Sequence, residues 1–451
     1  LLTALGAGVV DGQTNRDQTR YLQLVPSNQL ETVLWLESDR MGYLLDSVTQ
    51  AKFEIQRATV KNERQQNFEN RPYGLMNEKV CEGLYPEGHP YSWPIIGYID
   101  DLNRVDVSDL KKFFLRWYTP NNATLSIAGD VKPADVIKMV EKYFNPIGRG
   151  PAVKPQVIPP VKFTQDRYIS YEDNNISAPE LCVWFPTVPS RHPDEAPLDA
   201  LAFLMGGNKS SLFEKKLVST GIVPYVNISH PTYELSGEWA IIVRGFQDTK
   251  LSKLDELIPS YIEEFEKTGF TEDDLKMFKA NYESGLIGSL EGVQGKGMVL
   301  GEYQVFTGNP NYIVKDLQRY RNVTKADVTR VYKKYIKHQP HVSLSIYPKG
   351  KPELIAKPNN YKLPPYNVNA PESAEYKNLV YKKPAQTFDR SKRPTVPKTP
   401  AVKIPDYWTE NFENGLKLIG AESKEIPTVI IQLTIEAAHR YEPKDKSGIA
   451  Q

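Results

Sequence analysis

The feature that most restricts the fold is one helix-to-strand pattern that occurs twice, more than 200 residues apart. Residues 104–114 read Arg-Val-Asp-Val-Ser-Asp-Leu-Lys-Lys-Phe-Phe, followed by Trp117-Tyr118 and then Leu125-Ser126-Ile127. Residues 322–332 read Asn-Val-Thr-Lys-Ala-Asp-Val-Thr-Arg-Val-Tyr, followed by Tyr335 and then Leu344-Ser345-Ile346. Val105 matches Val323, Asp109 matches Asp327, and Phe113-Phe114 match Val331-Tyr332. Each copy predicts a capped amphipathic helix feeding an apolar strand. Solenoid repeats recur every 20–50 residues or so. The longer separation here points to duplicated domains that each mix helices with strands. A chain of 451 residues is also too long for one ordinary core.

Around these copies the chain divides into four stretches. Residues 1–150 hold the first copy and residues 151–348 the second. In the first stretch Val9-Val10-Asp11-Gly12-Gln13-Thr14 predicts a strand after the small turn Gly6-Ala7-Gly8. Asn28 as cap, with Glu31 three residues on and Leu30, Leu34, Met41 and Leu45 behind it, predicts a helix. A more polar helix over about residues 50–70 should stop at Arg71-Pro72. Residues 349–405 are rich in proline, including Leu363-Pro364-Pro365 and Arg393-Pro394-Thr395-Val396-Pro397, and predict an extended, semi-rigid linker. Residues 406–451 read as the start of a further unit. Asn414-Gly415 signals a hairpin turn, Val429–Ile435 a strand, and Ser447–Gln451 the beginning of a helix. Leu1 is no start methionine and no signal peptide precedes the first pattern, so both ends read as cut.

Lys and Arg number 56 against 55 Asp and Glu. Without a basic block, that balance argues against nucleic acid as a partner. No apolar run approaches the ~20 residues of a transmembrane helix. Cys81 and Cys182 are far apart in sequence; they are compatible with buried thiols or with one disulfide.

Several runs, in order, resemble the pitrilysin family of zinc peptidases. Gln56-Arg57-Ala58-Thr59-Val60-Lys61-Asn62-Glu63-Arg64, followed by Asn70-Arg71-Pro72-Tyr73-Gly74, resembles the helix that carries the family's distal glutamate. Thr14, Asp17, Thr19 and Tyr21 resemble its active-site edge strand, and Trp117–Asn122 with Gly129-Asp130 the end of its first domain. Pro186, Ser190-Arg191-His192, Asp194 and Gly206–Leu212 resemble its second domain, and Asn414-Gly415-Leu416 with Glu442-Pro443 and Gly448 the opening of a second half. The resemblance implies a mitochondrial processing peptidase-like α/β sandwich, an α+β fold. It would have two homologous domains with largely antiparallel sheets, helices on one side of each, and the start of a third. It also implies a Zn2+ metalloendopeptidase acting on peptides or unfolded polypeptides, in a periplasmic or cell-envelope location as in large bacterial members.

The family's metal motif is the inverted signature H-x-x-E-H, and a catalytic zinc needs three protein ligands with one open position. This chain contains no such motif. Counting back from Glu63 by the family's spacing places it, with the general base, just upstream of Leu1. The resemblance makes Glu63 the metal ligand present here. Gln56 lies seven positions earlier on the same helical face, where active relatives often carry a carboxylate. Its amide can orient a ligand by hydrogen bonding but adds no charge. Alone, the chain is expected to bind zinc weakly or not at all and to be inactive. Asp11, Gly12 and Gln13 fall on the strand that receives peptide as an added strand in the family. Gly12 would let a substrate backbone approach, or would be a bulge or turn glycine. Asp11 stands where relatives commonly have asparagine, and the Gln13 N–H is offered to the groove in this reading.

Other residues make weaker sites. His338 and His341 flank Pro340, which keeps them off a common helical face. His439-Arg440-Tyr441-Glu442 imitates four positions of the metal motif, but Pro443 replaces its second histidine. Tyr225 has Val218, not the arginine of the family's second half, seven residues before it, so it reads as packing. The rival to a peptidase is a non-catalytic relative, a core or peptide-binding subunit that has lost the metal. A weaker third reading is a general binding module using the sheet edge. The expected partners are a peptide substrate and the missing second half of the same chain.

Overall fold

The computed structural model describes residues 1–362, 373–399, 401 and 404–450. The Leu363-Pro364-Pro365 run lies outside the described residues. The chain opens with an antiparallel hairpin of β1 (Val9–Thr14) and β2 (Thr19–Leu24). Helix α1 (Leu30–Ser47) follows a single 3-10 turn. Asn28 does not cap it: its Nδ2 donates to the Pro397 carbonyl at 2.9 Å, and Gln29 is the N-cap residue. Glu31 ties α1 to a later helix by accepting from Lys142 Nζ at 2.7 Å and Tyr143 Oη at 2.8 Å.

Helix α2 (Gln50–Arg64) starts under a Thr49 cap and runs into one π-turn, Gln65–Glu69, before Arg71-Pro72. The chain continues through α3 (Met76–Leu84), α4 (Ile99–Arg104), α5 (Val107–Trp117) and α6 (Pro133–Phe144). In α5 the repeat's helical half forms with a reciprocal capping box between Asp106 and Asp109. Its strand half does not form. Leu125-Ser126-Ile127 is extended but has no neighbouring strand among the described residues, and a strand without a ladder leaves its amides unpaired. It lies instead near a later glycine-rich helix, where a side chain at Gly301 would come within 3.3 Å of Ser126 Cβ.

The second copy completes the pattern. Helix-rich segments alternate with β3 (Arg167–Asp173), β4 (Glu180–Thr187), α7 (Glu195–Gly206), β5 (Tyr225–Ser229) and β6 (Gly237–Arg244). Then come α8 (Leu251–Thr268), α9 (Glu272–Gly288), α10 (Val293–Thr307), α11 (Ile313–Arg321), α12 (Lys325–Tyr335) and β7 (Val342–Pro348). Helix α12 carries the matching capping box, Thr324 with Asp327, and β7 is the matching strand. The sheet order is β3-β7-β4-β6-β5, parallel only between β3 and β7. This is the α+β, largely antiparallel architecture expected.

Alternation along β4 explains why both faces are covered. Leu181, Val183 and Phe185 join one core with Leu198, Leu201 and Met205 of α7, Leu254 and Ile258 of α8, and Val328 and Val331 of α12. Cys182 and Trp184 point the other way and pack with Val80, Cys81 and Leu84 of α3. The sheet's own helices therefore occupy one face, and a helix from residues 1–150 closes the other. Cys81 and Cys182 are buried free thiols, which selects that reading over a disulfide. Burial pushes the Cys81 thiol up to about 12, so it is inert.

The proline-rich stretch after residue 372 is a strap along the first helices. Tyr43 Oη donates to the Ala385 carbonyl at 3.1 Å, Trp117 Nε1 to Tyr376 Oη at 3.0 Å, and the Arg390 guanidinium sits 3.8 Å from the Tyr43 ring. Beyond it, the predicted hairpin forms as β8 (Tyr407–Asn411) and β9 (Lys417–Ala421) about Gly415 at φ +88°. Val429–Ile435 is not a strand: it has no ladder partner among the described residues and its apolar side chains are exposed. Residues 447–450 form turns, not a helix.

Candidate functional site

The β1–β2 hairpin has an unbroken register from Val9 opposite Leu24 to Thr14 opposite Thr19. Gly12 is therefore a regular ladder residue opposite Tyr21, neither a bulge nor a turn glycine. The Asn15 N–H donates to the Gln18 carbonyl at 3.0 Å, so the pair 15/18 is hydrogen-bonded across the strands. Antiparallel ladders alternate between hydrogen-bonded and non-bonded pairs. Gln13 and Asp11 consequently direct their backbone groups toward β2, and Val10, Gly12 and Thr14 direct theirs outward. Two contacts agree with this parity. The Gly12 N–H donates to Asp11 Oδ1 at 2.9 Å rather than across the ladder, and Thr14 Oγ1 lies 3.1 Å from Thr19 Oγ1, as in a close non-bonded pair. The expected groove-facing donor at Gln13 is thereby corrected: its N–H serves the hairpin, and Gly12 carries the outward one.

Among the described residues no third strand joins this sheet, so the outer edge of β1 is open, and Asp11, Gly12 and Gln13 are exposed. The hairpin is held from the other side. Gln23 Nε2 donates to Glu37 of α1 at 2.9 Å, and Arg40 lies 4.1 Å from the Tyr21 ring.

The hairpin tip is held more firmly still, by a residue that nothing in its local sequence singles out. Arg16 enters a box formed by Tyr85, Tyr91 and Tyr233, its guanidinium 4.2 Å from the Tyr233 ring centre. It pairs there with the buried Glu238 carboxylate of β6, which also accepts from Tyr85 Oη at 2.7 Å and Trp184 Nε1 at 3.2 Å. Burial opposes the Arg16 charge, but Glu238 together with Cys81, Tyr85 and Tyr233 outweighs it and holds the pKa above the usual arginine range. Next to it, Asp17 accepts from Tyr91 Oη and, at 3.0 Å, from the Glu234 N–H. The loop of the first hairpin is thus locked to the second sheet, which fixes where the β1 edge lies.

Glu63 and Gln56 lie on an exposed face of α2. A different face anchors the helix: Lys61 Nζ meets Asn103 Oδ1 at 2.9 Å, and Arg64 meets the Gly97 carbonyl at 2.8 Å and buried Glu78 at 2.7 Å. No hydrogen bond or ion pair joins α2 to β1 among the described residues. Nor is any group of three or more His, Cys, Asp or Glu side chains placed to hold a metal ion. One exposed carboxylate does not meet the three-ligand requirement of a catalytic zinc, so the residues described do not by themselves fit the metal.

The weaker candidates separate as well. His338 lies 3.2 Å from Glu263 and His341 3.2 Å from Asp166. Glu442 takes the Gly448 and Ala450 N–H groups at 2.9 Å each, in irregular structure rather than on a metal-binding helix. Tyr225 is half-exposed at the sheet edge, its ring 5.4 Å from Arg244, and is not core packing. A cavity of ≈ 350 Å³ between the 190–191 loop and α9–α11 is lined by Glu195, Asp316 and Arg319, which already satisfy one another.

Comparison with known proteins places this geometry. Residues 104–282 match the model of the Peptidase M16 inactive domain. The chain is 26% identical over 346 residues to zinc protease PqqE of Helicobacter pylori, covering 76% of this chain and 77% of that protein. These matches support the M16, or pitrilysin, peptidase family for this chain. Another M16 relative, the mitochondrial-processing peptidase subunit beta of Caenorhabditis elegans, is 25% identical over 144 residues, 31% of this chain and 30% of that one. The M16 fold is shared with the crystal structure of a protease from Helicobacter pylori. The TM-score is 0.68 at 24% identity, covering 77% of this chain and 83% of that chain. Among the described residues no helix of this chain is long and apolar enough to cross a membrane.

Proposed function

We propose that this chain serves peptide hydrolysis in a zinc metalloendopeptidase by holding an extended peptide along β1. The observation that carries the reading is the open, regularly registered edge of β1, with the backbone groups of Val10, Gly12 and Thr14 directed outward. Such an edge binds any extended peptide through main-chain hydrogen bonds, largely independent of its side chains. Glu63 would give one carboxylate to the zinc site. The histidines and general base would come from an H-x-x-E-H motif that this sequence does not contain, and Gln56 would orient the ligand by hydrogen bonding. The name of the Helicobacter pylori relative, a zinc protease, supports this chemistry.

A non-catalytic peptide-binding or core subunit is the second reading. The matched family model is that of the inactive domain, and no three-donor group stands among the described residues.

Two measurements separate the readings. Dialysed 451-residue chain should retain no stoichiometric zinc by elemental analysis. A chain that includes the residues encoded before Leu1 should retain it and cleave an unfolded polypeptide, and Glu63→Gln should remove most of both. An extended chain without H-x-x-E-H, or one indifferent to Glu63→Gln, would leave the non-catalytic reading standing.

A further inference from the structure

The outward N–H of Gly12 is not free in this chain. The Asp11 side chain folds over the open edge so that Oδ1 accepts from Gly12 N at 2.9 Å, and the second oxygen, Oδ2, accepts from Gln13 Nε2 at 2.7 Å. Gln13 is held in turn, its Oε1 accepting from Arg20 Nη2 of β2 at 2.8 Å. Arg20, Gln13 and Asp11 form a relay on one face of the hairpin that ends on the backbone donor at the middle of the edge. A charged side chain laid over an edge strand is a recognised way to stop unwanted strand pairing.

We propose that Asp11 is the charge gate of this edge, deciding which extended peptides β1 accepts. This inference rests on β1 being the peptide-holding strand. An incoming strand needs the Gly12 N–H and must displace the Asp11 carboxylate from it. A peptide with a lysine or arginine side chain on the Asp11 face gives the displaced carboxylate a charge-assisted partner in place of the one it lost. A peptide with an acidic side chain there faces like charge at close range and leaves Asp11 without compensation. The edge therefore selects basic over acidic peptides at the position beside Gly12, and the selection comes from Asp11 rather than from a pocket. Gln13 and Arg20 set how readily the gate opens by holding the carboxylate in place.

The test uses three fluorescent extended peptides that differ only in the central residue, lysine, alanine or glutamate. Their affinities for the 451-residue chain are measured by polarisation at low and moderate salt. The expected order is lysine over alanine over glutamate, with roughly a tenfold span between the extremes that narrows as salt rises. Asp11→Asn keeps an oxygen for the Gly12 N–H but removes the charge. It should abolish the lysine-to-glutamate span while leaving the alanine peptide nearly unchanged. Asp11→Ala should abolish the span and also bind the alanine peptide a few-fold more tightly, because the donor is unmasked. Both variants sit on an exposed strand, and matching thermal melts confirm the fold. Binding that shows the same charge preference in wild type and both variants would overturn the gate while leaving the peptide-holding edge intact. Failure of every peptide to bind any of the three proteins would overturn the edge reading and the gate with it.

Discussion

His89 is buried against the Arg16 box, at 3% exposure, stacked on Tyr85 with ring centres 4.5 Å apart. Its Nδ1 accepts from the Tyr91 N–H at 3.0 Å, so the proton of the neutral ring belongs on Nε2. Burial, and then the positive charge of Arg16, push its pKa below 6.5. The unfolded chain takes up a proton near pH 6.5 that the folded chain refuses. The stabilisation from His89 is therefore complete above that pH and declines as pH falls through it toward the folded value. His89→Phe keeps the stacked ring but loses the acceptor and the titration. It should be less stable than wild type at pH 7.5, by about 1 kcal/mol, and that gap should shrink by pH 5.5. Thermal melts at the two pH values decide it, and a gap of constant size would rule out His89 as the source. None of this was legible in the sequence. Arg16 sits in the polar turn Asn15-Arg16-Asp17-Gln18, which reads as solvated. Its partners Tyr85, Tyr91 and Glu238 are brought to it only by the folded second sheet. Glu63 was singled out through the residues around it, because the helix that carries it is continuous in sequence.

Helices were more legible than strands because their hydrogen bonds close within the segment. The capped helices predicted at the matched residues Asp109 and Asp327 both form, and the structure shows the caps as boxes, Asp106 with Asp109 and Thr324 with Asp327. Leu344-Ser345-Ile346 becomes part of β7 because β3 and β4 flank it, whereas Leu125-Ser126-Ile127 has no such neighbours among the described residues. The same dependence on partners fixed the parity of β1, which no local pattern could reveal. That parity makes a pair of proline substitutions informative. Gly12→Pro removes an outward N–H and leaves the ladder bonds of Gln13 and Asp11 in place. It should cost little stability and lower peptide affinity by about tenfold, the worth of one main-chain bond. Gln13→Pro removes a ladder donor and should destabilise the hairpin itself, with faster amide exchange across β2. If Gln13→Pro instead left exchange in β2 unchanged while weakening binding, the odd-numbered residues would be the outward ones.

At the scale of the whole molecule, residues 1–150 and the five-stranded sheet are joined where α3 packs against the sheet with little room for adjustment. Helix α3 lies directly on the sheet at Gly83. A Cβ there would meet Ile169 Cδ1 at 2.4 Å and Val342 Cγ1 at 3.1 Å. The Gly83 carbonyl also accepts from Arg167 Nη1 at 2.6 Å. A small residue there lets Val80, Cys81 and Leu84 reach the face carrying Cys182 and Trp184. Further crossings run from Arg16 to Glu238 and from the Tyr73 N–H to Asp173 Oδ2 at 2.8 Å. With these crossings intact the chain should unfold in one calorimetric transition, since α3 and the sheet bury a shared core. Gly83→Leu places a side chain where α3 meets the sheet and should cost about 1–3 kcal/mol by overpacking. It should also separate the transition in two, because the core of α7, α8 and α12 against β4 does not depend on α3. Gly83→Ala is the control. The Ile169 methyl end can rotate away from a single added carbon, and alanine favours the helix, so the transition should stay single and move little. A Gly83→Leu chain that melts in one transition at the wild-type temperature would show that α3 does not couple the two parts. The position of the β1 edge would then depend on the hairpin's own contacts, through Arg16 and Asp17 to the second sheet and through Gln23 and Tyr21 to α1.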